Sequence, residues 1–166
     1  MTHPGPATSA APGTVRLPAV IADAIEEQAR AELPNEACGV IVGRGDPRAG
    51  GEALRYVPCR NARASATRFE IHPADVARLV HETDAAGESF WGIVHSHVRR
   101  PAEPSARDVE TAAWWPATLF VLVSANEERR DSGTGRLELR AWSIAEGRAH
   151  EVGLDLVTAA GPKVPA

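Results

Sequence analysis

Two histidines separated by one residue, His95 and His97, end the apolar segment FWGIVHSH at positions 90–97. Side chains alternate between the two faces of a β-strand, so both imidazoles project from one face and Ser96 projects from the other. A pair of imidazoles at a strand end can hold a zinc ion with bonds of about 2.0–2.1 Å. A catalytic zinc site also needs a third protein ligand and an open fourth position. The spacing therefore predicts two of three metal ligands.

Asp108 is the candidate for the third ligand. The loop VRRPAEP follows His97, and Ser105 and Asp108 then stand near the start of a predicted helix. An offset of three residues places both side chains on adjoining parts of the first helical turn, which the loop can fold back over the strand end. The same residues approximate a capping box, in which Ser105 is the N-cap. Alone, this pattern favours a cap; with the histidine pair upstream, it favours a ligand.

These residues belong to a longer pattern with fixed gaps. In order, the chain has Glu36, then His95-Ser96-His97, seven residues, Ser105, two residues and Asp108. The pattern resembles the JAMM motif of the MPN-domain metalloproteases, with every spacing kept. The similarity covers roughly residues 14–157, including the segment NEACGVIVG and the F-x-I-x-P entry to a later helix. Within the family, the chain is most similar to the short bacterial members that hydrolyse a sulfur-carrier protein–cysteine adduct.

The resemblance implies a fold and a mechanism. The fold would be a single α/β MPN domain, similar to that of the cytidine deaminases, with a mixed central β-sheet flanked by helices. His95, His97 and Asp108 would bind one zinc ion, with a water molecule in the remaining position. Glu36 would accept a proton from that water and deliver it to the leaving amine, and the Ser105 hydroxyl would stabilise the oxyanion. Considered alone, Glu36 fits a solvated helix exit, so the joint pattern carries the assignment.

The resemblance also implies a substrate class. Members of the family act on ubiquitin-like or sulfur-carrier proteins, whose flexible Gly-Gly tail can thread a narrow groove. The short chain lacks the inserted segments with which larger members grip ubiquitin, which favours a small bacterial carrier protein. We therefore expect hydrolysis of the amide between a carrier's Gly-Gly tail and cysteine, which releases cysteine for biosynthesis. The alternatives are a JAMM peptidase or deconjugase for another ubiquitin-like or peptide tail, and a non-catalytic MPN scaffold.

Composition limits the remaining function classes. The 166 residues, 43% hydrophobic and 24% charged, are typical of one globular domain. No apolar run approaches the roughly 20 residues that span a bilayer, and the start of the chain lacks the apolar part of a signal peptide, so we expect a cytoplasmic protein. A net charge of -4 does not provide the excess positive charge with which proteins generally bind nucleic acid or anionic membranes. A domain at 14–157 is expected between a disordered tail at 1–13 and a loose tail at 158–166.

Hydrophobic periodicity predicts alternating helices and strands between these tails. Helices are predicted at 19–32, from 73 to the glycine at 87, and at 105–115. Strands are predicted at 37–43, 53–58, 67–71, 90–97, 118–124 and 136–144, with the first two antiparallel and 118–124 central. The apolar stripes of the first two helices predict that Val20 and Val80 are buried with their neighbours.

Two pairs of residues outside the motif have predicted structural roles. Cys38 and Cys59 would face each other across the hairpin of 37–43 and 53–58. In a reducing compartment they are expected as two small buried thiols rather than a disulfide. Trp114 and Trp115, at a predicted helix end, are expected to pack in the core rather than to form a substrate platform.

Two arginines, Arg99 and Arg100, lie in the loop that follows the histidine pair. Guanidinium groups bind carboxylates through paired, charge-assisted hydrogen bonds. Both residues therefore fit a contact with acidic groups of a partner protein or with a product carboxylate. They fit an exposed basic loop equally well, so both interpretations stay open.

Overall fold

A seven-stranded β-sheet forms the centre of the structure, a computed structural model that describes residues 13–158. The strands are β1 (Thr14–Pro18), β2 (Cys38–Arg44), β3 (Glu52–Cys59), β4 (Ser89–His97), β5 (Leu119–Ser124), β6 (Leu139–Ala145) and β7 (Arg148–Val157). The helices are α1 (Ala19–Ala31), α2 (Pro73–Ala86) and α3 (Ala106–Thr111). The strand order is β1-β7-β6-β5-β4-β2-β3. Pairs β1–β7 and β4–β5 are parallel and the other neighbours are antiparallel, which confirms the mixed α/β sheet.

Strands β2, β4 and β5 lie inside the sheet and are almost wholly buried. They read as nearly continuous apolar runs, as expected for strands that are covered on both faces. On one face, α1 contributes Ile21 and Ile25 to a core cluster that includes Trp91. The opposite face holds a second cluster, in which Leu79 of α2 joins Phe120. The strand that ends in the histidine pair is therefore fixed between two packed layers.

Most of the predicted elements are confirmed, but the strand predicted at 67–71 is wrong. Only Ile71 pairs, through an isolated bridge with Asn61. The Asn61 side chain binds the segment's backbone instead: it accepts the Glu70 N–H at 3.1 Å and donates to the Arg68 carbonyl at 2.9 Å. These polar groups are satisfied without a neighbouring strand, so no ladder forms.

The far edge of the sheet contains β1 and β7, two strands that the hydrophobic pattern does not predict. Along β7, half-buried and exposed residues alternate, so the strand lacks a continuous apolar run. It pairs in parallel with β1, and Thr14 lies opposite Gly153. A Cβ atom at Gly153 would lie 2.6 Å from the Thr14 hydroxyl oxygen, so any other residue there would force this side chain to move.

Three apolar side chains that were expected in the core are exposed. Val20 is 69% exposed and Val80 44%, because the apolar stripe on each helix is narrower than predicted. Trp114 is 82% exposed, so the prediction that it packs in the core is wrong. The helix predicted at 105–115 ends as an α-helix at Thr111 and continues as a 3₁₀ turn, which changes the direction of the following side chains. Trp115 is half-buried and belongs to the margin of the core.

The two cysteines face each other as predicted. Cys38 of β2 lies opposite Cys59 of β3, and both thiols are free and buried. Burial raises the pKa of Cys38 to about 12 and that of Cys59 to about 11. Both groups are therefore protonated thiols at neutral pH.

The tails predicted at 1–13 and 158–166 lie outside the described residues, apart from Gly13 and Thr158. Gly13 has a positive φ of 79° and its carbonyl accepts the Gly153 N–H at 2.8 Å. Between residues 13 and 158, no helix combines the length and apolar character needed to cross a membrane.

An ion pair attaches the start of α2 to the end of β3, and its loss should make stability less sensitive to acid. Asp75 accepts hydrogen bonds from the Arg60 backbone at 2.9 Å and from the guanidinium at 2.9 and 3.2 Å. These bonds lower the Asp75 pKa to about 2. The usual unfolded-state value is about 3.9, so the stabilisation is present above pH 4 and is lost between about pH 4 and pH 2. We expect D75N to unfold at lower urea concentration than the wild type at pH 7.

The same comparison in acid provides the control for this prediction. The difference in urea midpoint between D75N and the wild type should be nearly constant above pH 4 and should shrink as pH falls from 4 to 2. It should be modest even at pH 7, because the Arg60 side chain is 63% exposed and water screens the pair. A difference that is constant over this pH range would show that the charge of Asp75 does not contribute.

Candidate metal centre

The end of β4 places two imidazoles side by side, as the strand alternation predicts. His95 and His97 are buried, and their Nε2 atoms are 3.3 Å apart. Ser96 lies on the other face, where its hydroxyl oxygen accepts the Ala37 N–H at 2.8 Å. This bond ties the end of β4 to the start of β2, so the imidazole pair is held by the sheet itself.

Asp108 reaches the same point from α3. One carboxylate oxygen is 3.2 Å from Nε2 of His95, and the other is 3.4 Å from Nε2 of His97. One ligand atom from each of the three residues lies within 4.8 Å of the others, so the group could hold a metal ion. A tetrahedral site with bonds of 2.0–2.1 Å has ligand atoms about 3.3 Å apart. The two imidazole nitrogens have this spacing, and each carboxylate oxygen has a similar distance to a different imidazole.

The surroundings of the two imidazoles fix their orientation. Nδ1 of His97 is 2.8 Å from the Pro101 carbonyl oxygen, and a proton donated there leaves Nε2 free to bind a metal. The ring of Phe69 stacks on His95, with centroids 4.1 Å apart. Burial lowers the pKa of His95, so this imidazole is neutral, as a metal ligand must be. Its Nδ1 has no hydrogen-bond partner among the described residues.

Charge within the group keeps Asp108 ionised. Burial alone would raise the pKa of this carboxyl, but its hydrogen bonds with His95 and His97 hold it well below the usual range. For His97, burial lowers the pKa, and the bonds to Asp108 and the Pro101 carbonyl outweigh it, so the net change is upward. A neutral imidazole, a second imidazole and a carboxylate form a donor set typical of a catalytic zinc site.

Ser105 is the N-cap of α3, so the capping-box interpretation is confirmed. Its hydroxyl oxygen accepts the Asp108 N–H at 3.2 Å and its proton goes to the Asp108 carboxylate at 2.8 Å. The backbone N–H of Ser105 donates to the same carboxylate oxygen at 2.7 Å. The cap therefore orients Asp108 toward the histidines, and Ser105 lines the cleft in front of them.

Glu36 lies in the same cleft, just before β2. It is 5% exposed, and burial raises its pKa to about 7, while the charge of His97 opposes this rise. Its backbone N–H donates to the Ser65 carbonyl at 2.8 Å, and its carbonyl accepts from the Asn61 side chain at 3.0 Å. A carboxyl whose pKa is close to neutral can take up and release a proton at neutral pH. The described structure thus brings all five predicted site residues together.

Sequence reasoning missed other residues that shape the site. Asn61 ties Glu36 to the segment after β3, but a single asparagine in a loop carries no local signal of such a role. Arg68 and Arg107 line the cleft together with Arg100. The cleft has a volume of about 570 Å³, within the usual range for ligand sites. Its rim could not be predicted because it is assembled from three separate segments.

Comparisons with known proteins agree with this geometry. The family model described as prokaryotic homologs of the JAB domain matches residues 18–144. The CysO-cysteine peptidase of Mycobacterium tuberculosis is 32% identical over 148 residues, which cover 87% of this chain and 94% of that protein. The desampylase of Haloferax volcanii is 28% identical, over 78% of this chain and 85% of that protein.

A solved structure also resembles this fold. It is the solution structure of a protein from Desulfitobacterium hafniense, which has a TM-score of 0.74 and 26% identity and covers 88% of this chain and 94% of that one. The family model extends from the end of β1 to β6, and so includes every residue of the candidate metal centre. The chain therefore belongs to the family of prokaryotic homologs of the JAB domain, and it is a peptidase.

Proposed function

We propose that the protein is a zinc-dependent peptidase that hydrolyses the amide bond between the Gly-Gly tail of a small sulfur-carrier protein and cysteine. The observation that carries this proposal is the donor group of His95, His97 and Asp108 with Glu36 in the same cleft. One ligand atom from each of the three residues lies within 4.8 Å of the others, and three protein ligands would leave one position of a zinc ion open. Zinc bound there would act as a Lewis acid and lower the pKa of a water molecule to about 7.

Glu36 moves the proton in this proposal. Its carboxylate accepts a proton from the attacking water, whose oxygen bonds to the amide carbon. The carbon–nitrogen bond then breaks, and Glu36 returns the proton to the leaving nitrogen, which departs as the amine of cysteine. The products are a carrier with a free C-terminal carboxyl group and free cysteine. A pKa near 7 suits both halves of this transfer, since the group must gain and lose a proton with similar ease.

Ser105 takes part through its hydroxyl in this proposal. In the structure the hydroxyl proton is donated to Asp108. Rotation about the Cβ–Oγ bond would direct the hydroxyl proton into the cleft, where Ser105 can donate it to the developing oxyanion. The backbone N–H of Ser105 continues to hold the Asp108 carboxylate during this rotation, because that bond does not involve the hydroxyl. Removing one such oxyanion donor typically costs about 2.7–4 kcal/mol of transition-state stabilisation.

The choice of substrate rests on similarity. The CysO-cysteine peptidase matches this chain over nearly its whole length, which supports a carrier–cysteine adduct. The desampylase supports the alternative, a deconjugase that removes a ubiquitin-like protein from other proteins. A cytoplasmic location belongs to the same proposal, because two free buried thiols suit a reducing compartment.

Mass spectrometry of the products tests the proposed function. The zinc-loaded protein is incubated with a carrier–Gly-Gly–cysteine adduct and, separately, with the same carrier joined to a lysine side chain. We expect the first conjugate to lose cysteine and gain one water, with much slower cleavage of the second. Cleavage of the lysine conjugate alone would favour the deconjugase. The absence of turnover on either conjugate, with the metal site filled, would contradict the proposed function.

A further inference from the structure

The arginines around the candidate metal centre differ from most others in the chain. All basic residues except Lys163 are arginines, and most form ion pairs with carboxylates. Within residues 13–158, the arginines without an ion pair are Arg68, Arg99, Arg100, Arg107 and Arg148. Arg68, Arg100 and Arg107 line the cleft that contains Glu36. Their guanidinium groups are therefore open to an external anion.

Arg100 is the cleft arginine that lies on the loop next to the histidine pair. Its side chain lines the same cleft as Glu36 and His97, three residues after His97 in the chain. The backbone of Arg100 is fixed, because its carbonyl accepts the hydroxyl of the buried Ser124 at 2.7 Å. The next carbonyl, of Pro101, is bound to His97. The loop thus presents the guanidinium from a rigid base beside the metal ligands.

We propose that Arg100, together with Arg68 and Arg107, binds the carboxylate of the leaving amino acid, so that the peptidase selects amides whose amine product is a free α-amino acid. This inference rests on the proposed function, in which Glu36 delivers a proton to the leaving nitrogen. In an α-amino acid the carboxylate is only one carbon away from that nitrogen. A cation that lines the same cleft as Glu36 is therefore placed where it can bind that carboxylate.

The same argument separates two classes of substrate. An amide formed with a lysine side chain has a long methylene chain at the leaving nitrogen and no carboxylate nearby. It would leave the three guanidinium groups without a partner. The cleft also contains Glu110 besides Glu36 and Asp108, so its positive charge is localised at the arginines rather than spread over the whole lining. A single carboxylate placed at the arginines matches this distribution better than a uniformly acidic partner.

Two matched adducts test the inference. One joins the carrier's Gly-Gly tail to cysteine, and the other joins it to cysteinamide, which lacks the negative charge but is otherwise the same. For the wild type we expect kcat/KM to be about ten- to a hundredfold lower on the amide, the usual range for a lost charged hydrogen bond. R100Q should lose most of this preference, mainly through a higher KM for the cysteine adduct, and R100K should restore part of it. R148Q, which removes an unpaired arginine on β7, should keep the wild-type preference.

The outcomes separate the inference from the proposed function. Equal rates of the wild type on the two adducts would overturn carboxylate binding and leave the peptidase intact. An equal loss for R100Q on both adducts would overturn it as well, since the arginines would then contact the carrier protein. No hydrolysis of either adduct by the zinc-loaded wild type would overturn the proposed function and, with it, this inference. Circular dichroism should show unchanged folding for R100Q, because the interactions that fix this loop use the backbone.

Discussion

Replacing His95 or Asp108 with alanine is expected to empty the metal centre and abolish hydrolysis. A catalytic zinc ion is bound by only three protein ligands, so the loss of one removes a third of its bonds to the protein. The remaining two ligands cannot rearrange to compensate, because β4 is buried between two packed layers and α3 is fixed by its cap. Metal content per chain, measured by mass spectrometry after dialysis against a weak chelator, should fall from about one zinc to near zero in both variants.

A histidine outside the cleft provides the matched control. His81 is exposed on α2, and H81A removes the same side chain without touching the donor group. It should retain full zinc occupancy and full turnover. Occupancy in the wild type should also fall between pH 8 and pH 5, because the imidazoles must be neutral to bind a metal. Undiminished zinc in both H95A and D108A would refute the assignment of these ligands.

Replacing Glu36 with glutamine is expected to leave zinc bound and to lower kcat by about a hundred- to ten-thousandfold, the range for a lost general base. Glutamine keeps the size of the side chain but cannot accept a proton. Wild-type kcat/KM should fall in acid, because the carboxylate form of Glu36 is lost as pH drops below its pKa. Burial raises that pKa to about 7, and a bound cation moves the acid limb to lower pH. E36Q should lack this limb.

The pair of readouts makes this prediction specific. E36Q should have the metal content of the wild type, in contrast to the ligand variants, so loss of turnover cannot be attributed to loss of zinc. E128Q, a change at an exposed glutamate in the turn after β5 and outside the residues that line the cleft, should behave as the wild type does. If E36Q hydrolyses the carrier adduct at the wild-type rate, the proton transfer belongs to another group.

The local arrangement of the ligands within each element could be predicted because two simple periodicities determine it. Strand alternation places His95 and His97 on one face, and the first helical turn places Asp108 beside Ser105. Each rule acts over only a few residues, so chain pattern alone is sufficient. The contact between these two elements came instead from the resemblance to a family, since seven residues of loop do not fix where a helix docks. The roles assigned to the five residues stay predictions until the variants are measured.

The parts that could not be predicted depend on contacts between distant segments. The segment 67–71 has the composition of a strand, but the side chain of Asn61 binds its backbone and replaces the ladder. β7 is a regular strand with a polar composition, because it is half-exposed and takes its pairing from β1 and β6. The exposure of Trp114 follows from a change of helix type that no local residue signals. In each case, tertiary context overrides the local pattern.

The opposed thiols of β2 and β3 make the protein its own conformational reporter. Cys38 lies two residues after Glu36 and opposite His95, so no labelling reagent can reach it until the strands around the site separate. Since the chain has only two cysteines, the rate of alkylation under native conditions measures local opening at this point without any mutation or dye. The ratio of the alkylation rates with and without metal would show how much a bound ion reduces local opening of β2.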